Sequence, residues 1–335
     1  GPGAVFWMWI SALLGMCTKF SEVTLAVHFR ETNANGDLVG GPMYYIKNGL
    51  KKHWHWLAYL FSAFGVLTVF GTGNATQVNT ITTAINSALT NYDLLKPDQI
   101  STSNLIIGIV ITIMIAMILL GGIKRIGQVT EKLVPFMALL YIVLALGVIL
   151  LNFNVVPSVF ASIIEGAFHP SAVTGGVVGS LFLSMKKGVS RGIFSNEAGL
   201  GSAPIAAAAA HTHEPVRQGL ISMTGTFIDT IIICTITGLA IVITGAWDMG
   251  LEGVAVTTKA FELGLPFPNQ VCAFILMVCL VFFAFTTILG WDYYSERCLE
   301  YLTGGKKKVV KVYRWIYILA IFIGPYMTVA AVWTI

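Results

Sequence analysis

One polar stretch inside a long apolar segment has the residue types needed to hold charged cargo. It runs from Ser184 to Glu197 (SMKKGVSRGIFSNE) and contains three basic residues, two glycines and several hydroxyl and amide side chains. Within a membrane, polar groups and irregular backbone persist only where they line a cavity or are buried in protein. We therefore predict a discontinuous helix, whose first half ends near Gly188 and whose second half begins near Asn196.

A discontinuous helix exposes two complementary ends. Unpaired carbonyls near Gly188 suit a cation, and unpaired N–H groups at the start of the second half suit a carboxylate. Ser195 or Asn196 could cap the second half, and Glu197 would then lie in its first turn, where negative charge is favourable. The alternative is an ordinary cytoplasmic loop that joins two short helices.

Small and polar residues also interrupt the apolar stretch from Trp54 to Leu89. Gly71, Asn74 and Gln77 recur at helical spacing, so they would share one face to which a substrate could approach closely. Because glycine and polar residues are also common at helix contacts in membranes, packing is the alternative interpretation.

A third set of candidate ligands lies in the stretch from Asn269 to Leu302. The Phe283 carbonyl and the hydroxyls of Thr286 and Thr287 offer hard oxygen ligands for sodium, although membrane threonines often bond to their own helix. Further along the stretch, Trp291 could close a small apolar pocket together with Phe194. The two rings could equally pack in the core.

Two acidic residues within apolar stretches need partners, since an uncompensated charge in a bilayer costs several kcal/mol. For Asp229 the candidate partners are a bound cation, Arg191 or Lys187, and a structural ion pair and a transport role both stay open. Glu22 lies three residues after Lys19, which favours a structural brace.

Composition requires these groups to sit in a membrane. Hydrophobic residues make up 56% of the 335 residues and charged residues 11%, against about half and about a quarter in soluble domains. Continuous apolar runs without period-2 alternation predict an all-α polytopic protein, not a barrel. We expect about eight spans, each near the roughly 20 residues that cross a bilayer. They are Pro2 to Phe29, Trp54 to Leu89, Asn104 to Leu120, Val134 to Asn152, Ala172 to Ala210, Leu220 to Trp247, Asn269 to Leu302 and Tyr313 to Ile335.

The distribution of basic residues predicts the topology. Fourteen of the 20 basic residues fall in alternate connections, which places those connections in the cytoplasm and Gly1 near the outer face of the cell membrane. The net charge of +4 is thereby explained without nucleic acid, and lipid is the expected surrounding. Two outer connections, Pro157 to Phe168 and Gly253 to Leu263, have helical spacing and are expected to form short surface helices.

Two stretches resemble the alanine or glycine:cation symporter family of the amino acid-polyamine-organocation superfamily. Gly1 to Trp9 (GPGAVFWMW) matches the family signature apart from its first glycine, and Ser190 to Ala203 (SRGIFSNEAGLGSA) resembles its broken-helix segment. The resemblance implies a leucine-transporter-like fold of two inverted five-helix repeats. Residues 1–335 would then be a transporter domain truncated at both ends, with core helices two to nine present.

The same resemblance implies roles for particular residues. Phe283, Thr286 and Thr287 fall where the second sodium site has its eighth-helix ligands. Glu22 falls where a second-helix carboxylate supports the two helix breaks. The first core helix, whose own break shares substrate and sodium, is expected to be missing.

Together these features predict sodium-coupled symport of small neutral amino acids, alanine or glycine, by alternating access. The alternative is a proton-coupled transporter of the same fold, with Asp229 or Glu197 as the titrating group. A channel would need a continuous polar stripe through several spans, and an enzyme would need a nucleophile, base or metal cluster, so we predict neither. No obligatory protein partner is inferred.

Overall fold

The computed structural model describes residues 1–34, 36–168 and 176–327, and this part of the chain is almost entirely helical. One short antiparallel pair, β1 (Glu31–Thr32) and β2 (Leu38–Val39), is the strand structure among these residues. The α-helices in chain order are α1 (Gly3–His28), α2 (Pro42–Gly49), α3 (Trp56–Thr68), α4 (Thr76–Asn91), α5 (Ile100–Leu119), α6 (Gly122–Leu151), α7 (Val156–Phe168), α8 (Gly176–Asn196), α9 (Ala203–Ala207), α10 (Pro215–Thr226), α11 (Thr235–Ile243), α12 (Val254–Gly264), α13 (Asn269–Thr303) and α14 (Lys307–Ile321).

Seven helical segments among the described residues are long and apolar enough to cross a membrane, which confirms an all-α multi-pass protein. The 26 residues of α1, for example, extend about 39 Å at about 1.5 Å per residue, beyond the roughly 30 Å of hydrocarbon. The segments are Gly3–His28, Lys52–Asn91, Pro97–Leu119, Arg125–Leu151, Pro215–Ile243, Asn269–Thr303 and Lys307–Tyr326.

The predicted count of eight spans is not confirmed. The remaining stretch, Ala172 to Ala210, is divided into α8 and α9, and its residues 172–175 lie outside the described part. The same holds for residues 328–335 of the last predicted span. Helices α7 and α12 confirm that the two connections expected to form short helices are helical.

The chain divides into two units, which we describe separately. The first comprises Gly1–Lys52, Leu144–Glu252 and Lys259–Leu265. In it α1 is the central helix and packs against α7, α8 and α10. Its contact with α10 is close at Gly219, where an added Cβ would lie 2.3 Å from Thr24 Oγ1.

The second unit comprises His53–Val143, Gly253–Thr258 and Pro266–Ile335. Helix α13 is its centre and packs against α3, α4 and α14. The core here is made of branched aliphatic and aromatic side chains, because these helices carry apolar residues on every face that meets a neighbour. Its fully buried members include Ile81, Ile115, Leu119, Ile288, Leu289 and Tyr317.

Among the described residues, each unit contains one π-helical segment, which the sequence did not predict. Val69–Ala75 joins α3 to α4, and Phe227–Cys234 joins α10 to α11. In each, a threonine hydroxyl donates to the carbonyl five residues earlier: Thr76 to Gly71 at 3.0 Å and Thr235 to Thr230 at 3.3 Å. Although π segments are rare overall, they occur often at functional sites. The polar residues beside these two segments are therefore candidate site residues.

Candidate functional site

The helix expected to break at Gly188 breaks eight residues later. Helix α8 is continuous from Gly176 to Asn196, and the interruption spans residues 197–202 before α9 begins at Ala203. Glu197, Gly199 and Gly201 have φ values of +56°, +83° and +76°. A right-handed helix cannot continue through left-handed residues, which is why α8 ends there.

Gly188 has a packing role that its sequence position does not reveal. An added Cβ would lie 2.4 Å from the Ala4 carbonyl oxygen and 2.7 Å from Trp7 Cβ, so glycine allows α8 to approach α1 closely. The prediction that α8 ends near Gly188 and presents free carbonyls there was therefore wrong. Because α8 continues through Gly188, no helix end presents free carbonyls there for binding.

The roles predicted for the residues at the interruption also change. The Glu197 N–H donates to the Ile193 carbonyl at 2.8 Å, so Glu197 closes the first half and does not begin the second. Its carboxylate accepts a hydrogen bond of 2.7 Å from the Ser202 hydroxyl. Asn196 is the last residue of α8, and its Oδ1 accepts the Ala198 N–H at 2.9 Å. Neither Ser195 nor Asn196 caps α9, whose N-terminal neighbour is Ser202.

A polar cluster joins the end of α8 to the π segment Phe227–Cys234. The Ser195 hydroxyl donates to Asp229 Oδ1 at 2.9 Å, and the Thr230 hydroxyl donates to Asp229 Oδ2 at 2.9 Å. The Asn196 amide in turn donates to Thr230 Oγ1 at 2.9 Å. The partners of Asp229 are thus hydroxyl groups, which were not predicted from the sequence.

Glu22 on α1 contacts the interruption directly. Its Oε1 accepts a hydrogen bond of 3.4 Å from the Gly199 N–H and lies 3.8 Å from Lys19 Nζ. Both side chains are buried, with 7% and 5% of their surface exposed. The predicted pair of Lys19 and Glu22 is therefore present, and it holds the backbone that follows α8.

Arg30 anchors the chain that follows α9. The sequence did not predict this role. The Arg30 guanidinium donates to the carbonyls of Ala208 at 3.1 Å, Ala210 at 2.7 Å and Thr212. The chain after α9 is thereby tied to the end of α1. An arginine just beyond α1 is the sequence signal, but its partners lie 178 to 182 residues away.

A cavity of about 390 Å³ within the first unit opens beside the polar cluster. Its walls are largely apolar and include Val5, Met8 and Trp247, together with the side chains of Arg191 and Cys234. The Cys234 sulfur lies 3.4 Å from the Ser195 hydroxyl oxygen. A solute in the cavity therefore comes close to the Ser195 and Asp229 pair.

In the second unit the predicted sodium ligands lie on α13. The Thr287 hydroxyl donates to the Phe283 carbonyl at 2.8 Å, and the Thr286 hydroxyl donates to the same carbonyl at 3.0 Å. The threonines thus bond to their own helix, as the alternative interpretation holds. Each hydroxyl still has lone pairs that can accept a cation, and the sodium role stays a prediction.

The residues predicted to line a substrate face are tied to neighbours within the second unit. Asn74 is fully buried, and its amide donates to the Tyr317 carbonyl at 3.1 Å, whereas the Gln77 amide donates to the Thr72 carbonyl at 3.2 Å. Gly71 and Asn74 lie in a π segment, whose wider turn shifts them from the shared face that α-helical spacing predicts.

Trp291 is 8% exposed and packs against Gly73. An added Cβ at Gly73 would lie 2.3 Å from Trp291 Cβ. Phe194 lies two residues before the end of α8 in the first unit. The pocket predicted from these two rings stays a prediction.

Seven apolar spans among the described residues show a multi-pass membrane protein, and an interrupted helix held by buried polar groups is typical of transporters. A model of the sodium:alanine symporter family matches residues 1–335, and the chain belongs to that family. The family consists of transporters and not enzymes. The resemblance found in the sequence is thereby confirmed.

The relatives are similar along the whole chain. An uncharacterized transporter from Haemophilus influenzae is 51% identical over 338 residues, which cover 100% of this chain and 70% of that protein. The sodium/alanine symporter AgcS from Methanococcus maripaludis is 42% identical, and the match covers 100% of this chain and 71% of AgcS. A putative sodium/proton-dependent alanine carrier, YrbD from Bacillus subtilis, is 34% identical and covers 100% and 68%.

Proposed function

We propose that this transporter takes up small neutral amino acids, alanine or glycine, together with sodium, by alternating access in the cell membrane. The proposal rests on the family and on the relative named a sodium/alanine symporter. We also propose a leucine-transporter-like inverted repeat, of which residues 1–335 supply core helices two to nine. The interruption at residues 197–202 is the observation that carries it, because transporters of this kind place substrate at unwound segments.

The substrate contacts that we propose centre on the end of α8, at Phe194, Ser195 and Asn196. Ser195 uses its proton to bond Asp229, so the lone pairs of its oxygen are left to accept from a substrate ammonium group. Ser195 is exposed and lies near the cavity through Cys234. Asp229 thus orients the hydroxyl, and the apolar cavity wall favours an apolar side chain.

For sodium we propose ligands on α13: the Phe283 carbonyl and the Thr286 and Thr287 hydroxyls. Both hydroxyl oxygens lie within hydrogen-bond distance of the Phe283 carbonyl oxygen. Neutral oxygens of this type suit a hard monovalent cation. If sodium binds the same conformation as the amino acid, each ligand raises the affinity for the other. Coupling then follows from reciprocity without a shared ligand.

The test is uptake of radiolabelled alanine by the full-length protein in liposomes at fixed pH. An inward sodium gradient should drive accumulation, and replacement of sodium by choline should abolish it. Unlabelled glycine should compete, whereas a bulky amino acid should compete poorly.

Proton coupling is the second candidate, favoured by the name of the sodium/proton-dependent relative and by the titratable Asp229 in the polar cluster. Uptake that follows an imposed pH gradient and ignores sodium would replace the sodium proposal with this one.

A further inference from the structure

A buried ionic cluster lies between α13 and α14, apart from the predicted sodium ligands. Arg314 donates two hydrogen bonds to the Glu296 carboxylate, from Nε at 2.5 Å and from the second guanidinium nitrogen at 2.7 Å. Glu296 is 6% exposed. A bidentate pair of this kind is stronger and more specific in geometry than a single hydrogen bond.

Asp292 lies one turn before Glu296 and is 1% exposed. Among the described residues, its Oδ1 atom has no hydrogen-bond partner. The Ser295 hydroxyl is close but donates to the Asp292 backbone carbonyl at 2.9 Å. The site therefore holds two carboxyl groups and one guanidinium, and the guanidinium is engaged by Glu296.

The other helices around Asp292 add no charge. Within their described ranges, α3, the π segment Val69–Ala75, α4 and α5 contain no Asp, Glu, Lys, Arg or His. Helix α14 adds two tyrosines to this core, but the Tyr313 hydroxyl donates to the Val66 carbonyl at 2.9 Å and the Tyr317 hydroxyl to the Ile288 carbonyl at 2.9 Å.

The next cation on α13, Arg297, is committed elsewhere. It pairs with Glu300 at 2.6 Å, and its guanidinium carbon lies 5.2 Å from the centre of the Tyr293 ring. An ionised Asp292 would thus be a buried charge whose Oδ1 has no donor, and such a charge is strongly destabilising unless it is neutralised. A proton on the carboxyl removes the charge and keeps the cluster neutral.

We propose that Asp292 is a proton-binding site, protonated at neutral pH beside the bidentate pair of Glu296 and Arg314. Asp292 follows Trp291 and shares α13 with the proposed sodium ligands. Release of its proton at alkaline pH would introduce a buried negative charge about one and a half helical turns beyond Thr287. This expectation rests on the proposed function: transport should decline as that proton is lost.

Infrared difference spectroscopy tests the proposal without any transport. The full-length protein in liposomes is titrated from neutral to alkaline pH, and the C=O stretch of protonated carboxyl groups is followed. The wild type should lose such a band, and Asp292→Asn should lack that component at every pH. The matched control Glu300→Gln removes an ion-paired carboxyl from the same helix and should leave the band unchanged.

A band that is identical in the wild type and in Asp292→Asn would overturn the proposal, and so would the absence of any protonated carboxyl band at neutral pH in the wild type. If Asp292→Asn does not fold, Asp292→Leu gives the same spectral test, because a neutral site should accept an apolar side chain of similar volume.

Transport gives the second readout. Asp292→Asn should keep uptake at neutral pH and lose the alkaline decline seen in the wild type, whereas an alkaline decline unchanged in the variant contradicts the proposal. If the wild type shows no sodium-driven alanine uptake, the proposed function fails while the infrared test still decides on the proton.

Discussion

The Ser195 hydroxyl donates a 2.9 Å hydrogen bond to Asp229 Oδ1, which links the last turn of α8 to the π segment that follows α10. Both carboxylate oxygens of Asp229 accept hydrogen bonds, because the Thr230 hydroxyl donates to Oδ2 at 2.9 Å. The relationship sets the orientation of the exposed hydroxyl next to the cavity.

We expect Asp229→Asn to reduce alanine uptake about tenfold or more. The amide has one acceptor oxygen, so only one of the two hydroxyls can still donate to residue 229, and a buried donor that loses its acceptor costs about 1–3 kcal/mol. The measurement is initial uptake by the full-length protein in liposomes, normalised to folded protein. Asp248→Asn, an exposed carboxylate of the same unit, is the matched control and should behave as wild type. Equal uptake by the two variants would remove Asp229 from the site.

Gly199→Ala should impair transport more than its effect on folding explains. Residue 199 has φ +83°, and a side chain in this region costs about 1–2 kcal/mol. Gly36→Ala has nearly the same φ, +82°, in an open loop with no atom within 4 Å of the added Cβ. Both variants should lose similar thermal stability, and only Gly199→Ala should lose uptake. Similar uptake in both would mean that the interruption does not need this conformation.

Gly188→Ala should destabilise the protein by about 1–3 kcal/mol, because the new methyl group would force α8 away from α1. The helical Gly225 offers a matched control with no atom within 4 Å of an added Cβ, and Gly225→Ala should stabilise by about 0.5–1 kcal/mol. Thermal unfolding in detergent distinguishes the two. A fully stable Gly188→Ala protein with a changed sodium requirement would restore the original view of Gly188 as an ion ligand.

Thr287→Ala should raise the sodium concentration needed for half-maximal uptake by about tenfold, which corresponds to about 1.4 kcal/mol for one lost ligand. Thr303→Ala is the control: Thr303 lies on the same helix and also donates to its own helix, at 2.8 Å to the Leu299 carbonyl. An unchanged sodium requirement in Thr287→Ala would leave this hydroxyl with a purely structural hydrogen bond.

The pair of Glu31 and Lys47 outside the membrane spans should make a small pH-dependent contribution to stability. Burial opposes ionisation of Glu31, but hydrogen bonds from Lys47 at 2.8 Å and Asn48 at 2.9 Å outweigh it and lower the pKa of the carboxyl. A lowered folded-state pKa stabilises the protein above the unfolded-state value, and the gain disappears as pH falls through the folded-state value.

For this pair, Glu31→Gln should cost less than about 1 kcal/mol near neutral pH, and the difference from wild type should vanish in acid. Chemical unfolding at several pH values measures it. The more exposed pair Glu214 and Arg217, 3.9 Å apart, supplies the control variant Glu214→Gln, which should show no such trend. A Glu31→Gln deficit that persists in acid would point to lost packing instead of lost charge.

The sequence predicted those features that depend on local composition. Seven spans follow from the length of their apolar runs, and the family follows from two short motifs. The helix interruption was predicted in the correct segment but eight residues early. The prediction placed the interruption at Gly188 because three basic residues surround it. Gly199 and Gly201, separated by one residue, are the better signal, since they have left-handed backbone.

Features that depend on distant partners could not be read from local pattern. Gly188 packs against Ala4, and Asn74 donates to the carbonyl of a residue 243 positions away. The two π segments arise where helix packing accommodates an extra residue, and neither has a sequence pattern that distinguishes it from α-helix.

The three carbonyls held by Arg30 constrain how the interrupted segment can move. Residues 208–212 are held to the end of α1 by Arg30, and the Gly199 N–H before α9 is held by Glu22, so both flanks of α9 are tied to α1. Translation of the whole segment along its axis would have to break all three hydrogen bonds at once. Loss of the arginine would therefore leave the chain after α9 without this tether to α1.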